Sequence, residues 1–303
     1  MSFSVTILGS GAALPTAHRK PTSQYIFCNE RHILIDCGEG TQTQIRKAGI
    51  KLQKITHILI SHLHGDHYFG LVGLLSTMHL LGRDQGVTIY GPVELEQIVR
   101  LQLEVGHAKL GFSLTFVPLN GKEHRLLFED KLIEIHTFPL KHKIPTNGFL
   151  IKEKPKERSI IGEALRESGV SLMAVPFFRR GEDFTDEYGE IHYADDYTYA
   201  PKASKSYAFC SDTRYTESII PYIQDVDLLY HEATFTEKES DRAKATMHST
   251  AKQAATIAQK AAVGRLLLGH LSARFDGVEA HLKEASPVFE NVVVVSDFDV
   301  VEI

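Results

Sequence analysis

The chain has 303 residues, with 33 Lys+Arg against 38 Asp+Glu and a formal net charge of −5. Hydrophobic residues at 43% and charged residues at 23% are the balance of a globular protein, which excludes a disordered tail, a collagen-like repeat and a long coiled coil. Net acidity excludes a polycation, so contact with nucleic acid has to come from local basic patches. The longest uncharged apolar stretch, Tyr68 to Leu75, contains two glycines and falls well short of the roughly 18 residues of a membrane span. The start, Met1-Ser2-Phe3-Ser4-Val5, has no basic segment ahead of an apolar core, so no signal peptide is expected. Cys28, Cys37 and Cys210 have neither zinc-finger nor redox spacing. They read as small buried side chains in a reducing, cytoplasmic compartment.

In chain order, a β-branched strand is expected over 3–8, broken at Gly9-Ser10-Gly11, then strands near 24–27 and 33–35. The glycine turn Cys37-Gly38-Glu39-Gly40 leads into a helix over about 41–47. Residues 55–60 form a nearly continuous apolar run, the pattern of a strand covered on both faces. Helices are expected near 70–80, 93–105, 215–223, 249–262 and 276–286. Strands are expected near 87–90, 114–117, 132–137, 147–151, 206–210, 226–230, 264–268, 292–296 and 299–302. This interleaving defines an α/β class.

Residues 152–203 sustain neither period. The stretch begins basic, with six Lys/Arg between Lys141 and Arg158, and turns acidic, with seven Asp/Glu between Glu182 and Asp196. It reads as an excursion from a single domain spanning 1–303, and insertions of this length tend to be functional or disordered.

Sixteen histidines are many for this length, and four ligand-capable residues cluster directly after the apolar run 55–60, in Ser61-His62-Leu63-His64-Gly65-Asp66-His67. In extended structure His62 and His64 share a face, while Asp66 and His67 come from the next turn and can face a second metal. Imidazole and carboxylate are zinc ligands at bonds of about 2.0–2.2 Å. Four such residues cannot close two metal sites alone. Further candidates stand after other expected strands: His142, Asp212 and His270.

The His-x-His-x-Asp-His run resembles the motif of the metallo-β-lactamase superfamily, whose four-layer αββα sandwich agrees with the interleaved pattern. Within it the chain resembles the short form of the ribonuclease Z family, the tRNA 3′-processing endonucleases. The likeness is carried by Leu8-Gly9-Ser10-Gly11-Ala12 with Pro15-Thr16, Asp36-Cys37-Gly38-Glu39-Gly40-Thr41-Gln42, and Ser211-Asp212-Thr213-Arg214. It is carried further by His231-Glu232-Ala233-Thr234, His248-Ser249-Thr250 and His270-Leu271-Ser272-Ala273-Arg274-Phe275.

The resemblance implies two zinc ions per chain. One is held by His62, His64 and His142, the other by Asp66, His67 and His270, with Asp212 bridging. It implies attack of a metal hydroxide on a phosphodiester, with Asp66 accepting a proton and His248 protonating the leaving 3′ oxygen. Glu232 and His231 help His248 or, alternatively, orient metal ligands. Arg274 is expected to bind phosphate. Residues 152–203 occupy the place of the family's flexible arm, and Lys152, Lys154, Lys156 and Arg158 are its candidate RNA contacts. The arm departs from the family's Gly-Pro-rich tip: Ser171–Arg180 contains no Gly-Pro step. The substrate implied is precursor tRNA, the assembly a homodimer, and no membrane is involved. Two other readings stand beside this one: a small-molecule phosphodiesterase or other metallohydrolase of the same superfamily, and a non-catalytic RNA-binding protein.

Overall fold

The computed structural model describes residues 3–303. In chain order its main strands are β1 (Phe3–Gly9), β2 (Ser23–Cys28), β3 (Arg31–Ile35), β4 (His57–Leu59), β5 (Val87–Pro92) and β6 (Leu114–Leu119). Then come β7 (Arg125–Glu129), β8 (Ile133–Leu140), β9 (Thr146–Glu153), β10 (Ser206–Cys210), β11 (Leu228–Glu232), β12 (Arg265–Gly269), β13 (Val292–Val294) and β14 (Val300–Glu302). They build two seven-stranded sheets, ordered β14-β1-β2-β3-β4-β5-β6 and β13-β12-β11-β10-β9-β8-β7. In the first sheet β3 to β6 run parallel, and in the second β10 to β13 run parallel.

Each sheet has its own helical cover. Ile45, Leu71, Leu74, Leu75, Val99 and Leu103 from the helices Thr41–Lys47, Leu71–Leu80 and Leu95–Val105 pack with Leu34, Ile58 and Ile89 of the first sheet. Ala251, Ala254, Ala255, Ile257 and Ala258 of the helix Ala251–Lys260 pack with Leu229, Leu266 and Leu268 of the second. Tyr207 of β10 donates its hydroxyl to Gln24 Oε1 of β2, and both side chains are wholly buried. The two sheets therefore meet face to face with helices outside, the αββα arrangement.

Local sequence explains where elements begin and stop. Thr250 and Gln253 form a reciprocal capping box, which starts the expected 249–262 helix at Ala251. The expected 215–223 helix divides into a 3₁₀ turn, Glu217–Ile219, and one α turn, Ile220–Ile223. Pro221 lacks the N–H to carry one continuous ladder. The apolar run 55–60 forms the strand His57–Leu59, with backbone hydrogen bonds from the Thr56 N–H to the His32 carbonyl and from the Ile60 N–H to the Tyr90 carbonyl just outside it. β7 and the short helices Gly65–Tyr68 and Ser240–Thr246 are additional to the expected elements; none of them carries a long periodic pattern.

Chain up to Glu129, Ile133–Lys152 and Lys205–Ile303 makes one compact unit; Asp130–Leu132 and Glu153–Ser204 make a second. The second unit has a small core of its own, Leu165, Ala174, Phe178 and Ala194, with Phe178 stacked on Tyr197 at 4.8 Å. Its helices Gly162–Ser168 and Val175–Arg180 end at Gly169 and Gly181, with φ of 69° and 80°, the left-handed stop that glycine provides. Elements of two to seven residues are too short to give a sequence period.

His281, on the helix Glu279–Ala285, is fully buried, with its ring 4.6 Å from that of Phe275. Burial, and then the charge of Arg19, pushes its pKa down to about 4. The folded chain therefore keeps this ring neutral while the unfolded chain protonates it near pH 6.5, so stability is lost as pH falls from 6.5 toward 4. Urea unfolding of the wild type against His281→Gln is expected to show a wild-type disadvantage that grows by about 3 kcal/mol between pH 7 and pH 4. Parallel pH profiles would exclude this.

Candidate metal centre

The candidate residues stand at the C-terminal ends of strands, where ligand sites of α/β sheets form. β4 leads through Ile60 and Ser61 to His62 and His64, and the turn Gly65–Tyr68 brings in Asp66 and His67. His142 follows β8, Asp212 follows β10, and His270 follows Gly269, the last residue of β12. Gly38 lets the loop after β3 close against this turn: a Cβ there would lie 2.4 Å from the Asp66 carbonyl oxygen.

Two sets of donors result. In the first, His64 Nδ1 lies 3.0 Å from His62 Nε2 and 3.2 Å from His142 Nε2. Asp212 Oδ2 lies 3.7 Å from the His62 nitrogen and 3.8 Å from that of His142. In the second, His67 Nε2 lies 3.4 Å from Asp66 Oδ2 and 3.4 Å from Asp212 Oδ1. His270 Nε2 lies 3.5 Å from Asp66 Oδ2 and 3.1 Å from Asp212 Oδ1. The two oxygens of Asp212 thus face different sets. Donors of a tetrahedral ion with bonds of about 2.0–2.2 Å stand roughly 3.3–3.6 Å apart, the spacing seen here. His67 Nε2 and His270 Nε2 are buried and have no hydrogen-bond partner in the protein, so a cation between them satisfies polar atoms otherwise stranded. The donor set fits two divalent cations.

The ring nitrogens turned away from the cluster are held in turn. His67 Nδ1 lies 2.7 Å from Asp36 Oδ2, His270 Nδ1 lies 2.9 Å from Thr234 Oγ1, and His142 Nδ1 lies 2.9 Å from the Met247 carbonyl oxygen. Asp36 also accepts from the N–H and hydroxyl of Ser61 at 2.8 and 2.9 Å. Such partners fix ring orientation and raise ligand basicity. Asp36, Ser61 and Thr234 lie inside the sequence motifs around Cys37, His62 and Glu232, and that position is the one sequence signal for them. Asp36, His270 and Met247 have φ of 56°, 55° and 63°, strained backbone of the kind that concentrates at functional sites.

The electrostatics follow from burying carboxylates among imidazoles. Burial opposes charge on His67, but Asp212, Asp66 and Asp36 outweigh it and hold its pKa well above the usual value. Burial pushes His62 well below it, with the neighbouring His67 adding to the effect. Burial works against ionisation of Asp66, yet His67 and His270 keep that carboxyl well below its ordinary range. The cluster therefore retains ionised carboxylates that call for positive charge.

The cavity over the cluster measures about 680 Å³ and is lined by His64, Asp66, His142, Asp212, His248 and His270, with Arg274 and Lys143 at its walls. His248 Nδ1 lies 2.7 Å from Glu232 Oε1, and its Nε2 lies 3.9 Å from Asp212 Oδ2. Burial lowers the His248 pKa, but Glu232 and Asp212 outweigh it and raise it to about 9. Glu232 is buried and also accepts from the Thr213 N–H and the Thr234 hydroxyl at 2.8 and 2.6 Å.

His231 is not brought to this cavity. It pairs in register with Cys210 and Leu268, which belong to the helix-covered core, and its Nδ1 lies 2.7 Å from the Glu232 carbonyl oxygen. Among the basic residues expected on the arm, Lys156 is paired with Glu153 at 2.6 Å, and Arg158 holds Asp195 and the Thr198 hydroxyl. Lys154 is half-buried and Lys152 is exposed.

Two sheets covered by helices, with a metal-ligand cleft at their strand ends, define a metal-dependent enzyme of the metallo-β-lactamase fold. The Anti-Pycsar protein Apyc1 family model matches residues 3–154. Ribonuclease Z of Parabacteroides distasonis is 45% identical over 96% of both chains, and that of Porphyromonas gingivalis 42% identical over 98% of this chain and 97% of its own. Human tRNase Z, short form, superposes with a TM-score of 0.72 at 30% identity over 98% of each chain. The metallo-β-lactamase fold protein YhfI of Bacillus subtilis superposes with a TM-score of 0.71 at 19% identity, a likeness of fold alone. The chain belongs to the ribonuclease Z family, a family of endoribonucleases.

Asp36→Asn keeps the shape of the side chain but removes the charge behind His67. Metal affinity, read by chelator competition on folded protein, is expected to fall about 10–100-fold. An unchanged affinity would remove Asp36 from the site.

Proposed function

We propose that this chain cuts precursor tRNA at its 3′ side, removing the trailer and leaving a 3′-hydroxyl on the tRNA. The observation that carries the reading is the pair of donor sets sharing Asp212 beneath an open cavity of about 680 Å³ with His248 at its wall. His62, His64, His142 and Asp212 would hold one zinc ion, and Asp66, His67, His270 and Asp212 a second. Such a pair supplies Lewis acidity to phosphate oxygens and acidifies water toward neutrality.

The chain's own groups do the rest. Glu232 keeps the His248 ring oriented and charged, so Nε2 faces the cavity as a proton donor to the leaving 3′ oxygen. Asp66, anchored by the Ala13 N–H at 2.8 Å, is ionised before the reaction, orients the attacking water and accepts its proton as the water attacks. Arg274, an exposed guanidinium at the cavity wall, binds the phosphate chain bidentately. His231 serves packing beneath the site.

We assign the unit around 152–203 the gripping of tRNA away from the cut. Exposed Leu172, Met173, Tyr188 and Tyr193 support this reading, since stacking and apolar contacts tolerate an acidic surface better than phosphate contacts do. With Lys156 and Arg158 engaged in ion pairs, Lys152 is the more available phosphate contact. We further propose a homodimer. Leu80, Leu81, Leu101 and Val105 are exposed on and beside the helices Leu71–Leu80 and Leu95–Val105, an apolar surface suited to burial against a second copy; light scattering giving the mass of a single chain would refute it. Three buried cysteines, none of them in a disulfide, support a reducing, cytoplasmic setting, and among the described residues no helix is long and apolar enough to cross a membrane.

End-labelled precursor tRNA should give one chelator-sensitive cut next to the discriminator nucleotide. Asp212→Ala and His64→Ala should abolish it; near-wild-type cleavage by either would sink the reading. His248→Ala should slow cleavage by about 10²–10⁴-fold with metal content unchanged, and an equal loss of metal would instead make His248 a ligand.

A further inference from the structure

Two cavities meet at His248. The larger lies over the donor sets. The smaller, about 260 Å³, is lined by Arg214, Lys244, Asp241, Ser240, Gln253 and His248; among the described residues His248 is the one lining both. Arg214 and Lys244 are exposed. Among the described residues neither head group has an ion pair or side-chain hydrogen bond, unlike Arg83, Arg100, Arg158 and Arg180, whose guanidinium groups are all engaged. Among the described residues Asp241 is the one carboxylate in the lining, which Tyr215, donating its hydroxyl to Glu217, completes; the two cations outnumber it. Gln253 spends its amide oxygen on the Thr250 N–H, which leaves its amide N–H groups to donate, and Ser240 adds a hydroxyl. Two cations with neutral donors are the chemistry of a phosphate site.

The backbone ties this cavity to the cleavage site. Arg214 lies two residues beyond Asp212, with its N–H held by the Lys141 carbonyl oxygen at 2.9 Å. Lys244 lies on the helix Ser240–Thr246, and the His248 N–H is held by Ala243 of that helix at 2.8 Å. Each cation is therefore placed by the same short segment that places a residue of the cleavage site.

We propose that this cavity is a phosphate subsite for the tRNA side of the cut, holding the phosphate on the 5′ side of the discriminator nucleotide. The proposal rests on the tRNA-cleaving reading. The leaving 3′ oxygen belongs to the discriminator ribose and faces His248, so that ribose lies on the His248 side of the scissile phosphate. Its own 5′ phosphate then continues past His248 toward Arg214 and Lys244, while the trailer runs the other way toward Arg274. The subsite sets the register of the RNA strand and makes Arg214 a positioning residue.

The test uses full-length metal-loaded protein and precursor tRNA with a single neutral methylphosphonate, placed either 5′ of the discriminator nucleotide or 3′ of the first trailer nucleotide. The 5′ substitution should lower wild-type kcat/KM at least about tenfold, the scale of one charge-assisted contact. Arg214→Ala should lose as much on the unmodified substrate and almost nothing further on the 5′-substituted one. Arg214→Lys should recover part of the loss on the unmodified substrate alone. Additive losses at the 5′ position, no wild-type effect there, or non-additivity at the trailer position instead would each overturn the subsite. Failure of the wild type to cut the unmodified precursor overturns the tRNA-cleaving reading and the subsite with it.

Discussion

The carboxylate of Asp212 is the constraint on which the site depends. It is buried, and its two oxygens face different groups of imidazole nitrogens, at 3.7 and 3.8 Å on one side and 3.4 and 3.1 Å on the other. A buried carboxylate is tolerable only where positive charge meets it. Five of the histidines around it come from three separate chain segments, so the fold has to bring distant strand ends together before the charge can be balanced. The face-to-face packing of the two sheets does this: β4 belongs to the first sheet, while β8, β10 and β12 belong to the second.

A second layer of polar groups makes the arrangement rigid. Asp36 is buried beneath His67 and Ser61, and Glu232 beneath His248, Thr213 and Thr234. Each carboxylate has several donors, so neither is left unsatisfied, and each fixes a ring whose direction matters. The two carboxylates back different rings: Asp36 holds the wholly buried His67, whereas Glu232 holds the half-buried His248 at the cavity wall.

The α/β class, most strands and the long helices are legible from apolar runs, helical period and glycine turns, because β1 and β10 are buried along nearly their whole length and the helix Ala251–Lys260 buries Ala251, Ala254, Ala255, Ile257 and Ala258. The short elements could not. β7 alternates between half-buried and exposed positions at a sheet edge, and the elements of the second unit are too brief to show a period. The apolar run 55–60 promised a longer strand than forms, since composition shows burial but not where pairing stops.

By itself the sequence determined the chemistry of the donors. Four ligand-capable residues in six positions, after a buried strand, announce a metal site whatever the rest of the chain does, because ligand type and local spacing are covalent facts. Tertiary structure decided which residues join them and which do not. His231 and Glu232 are neighbours in the chain, yet strand alternation sends one side chain to the helix-covered core and the other under the site. Arg214 and Lys244 are 30 residues apart and share a cavity only because the loop after β10 and the segment before His248 meet there. Such meetings depend on the packing of sheets and loops, which no local pattern of residues encodes.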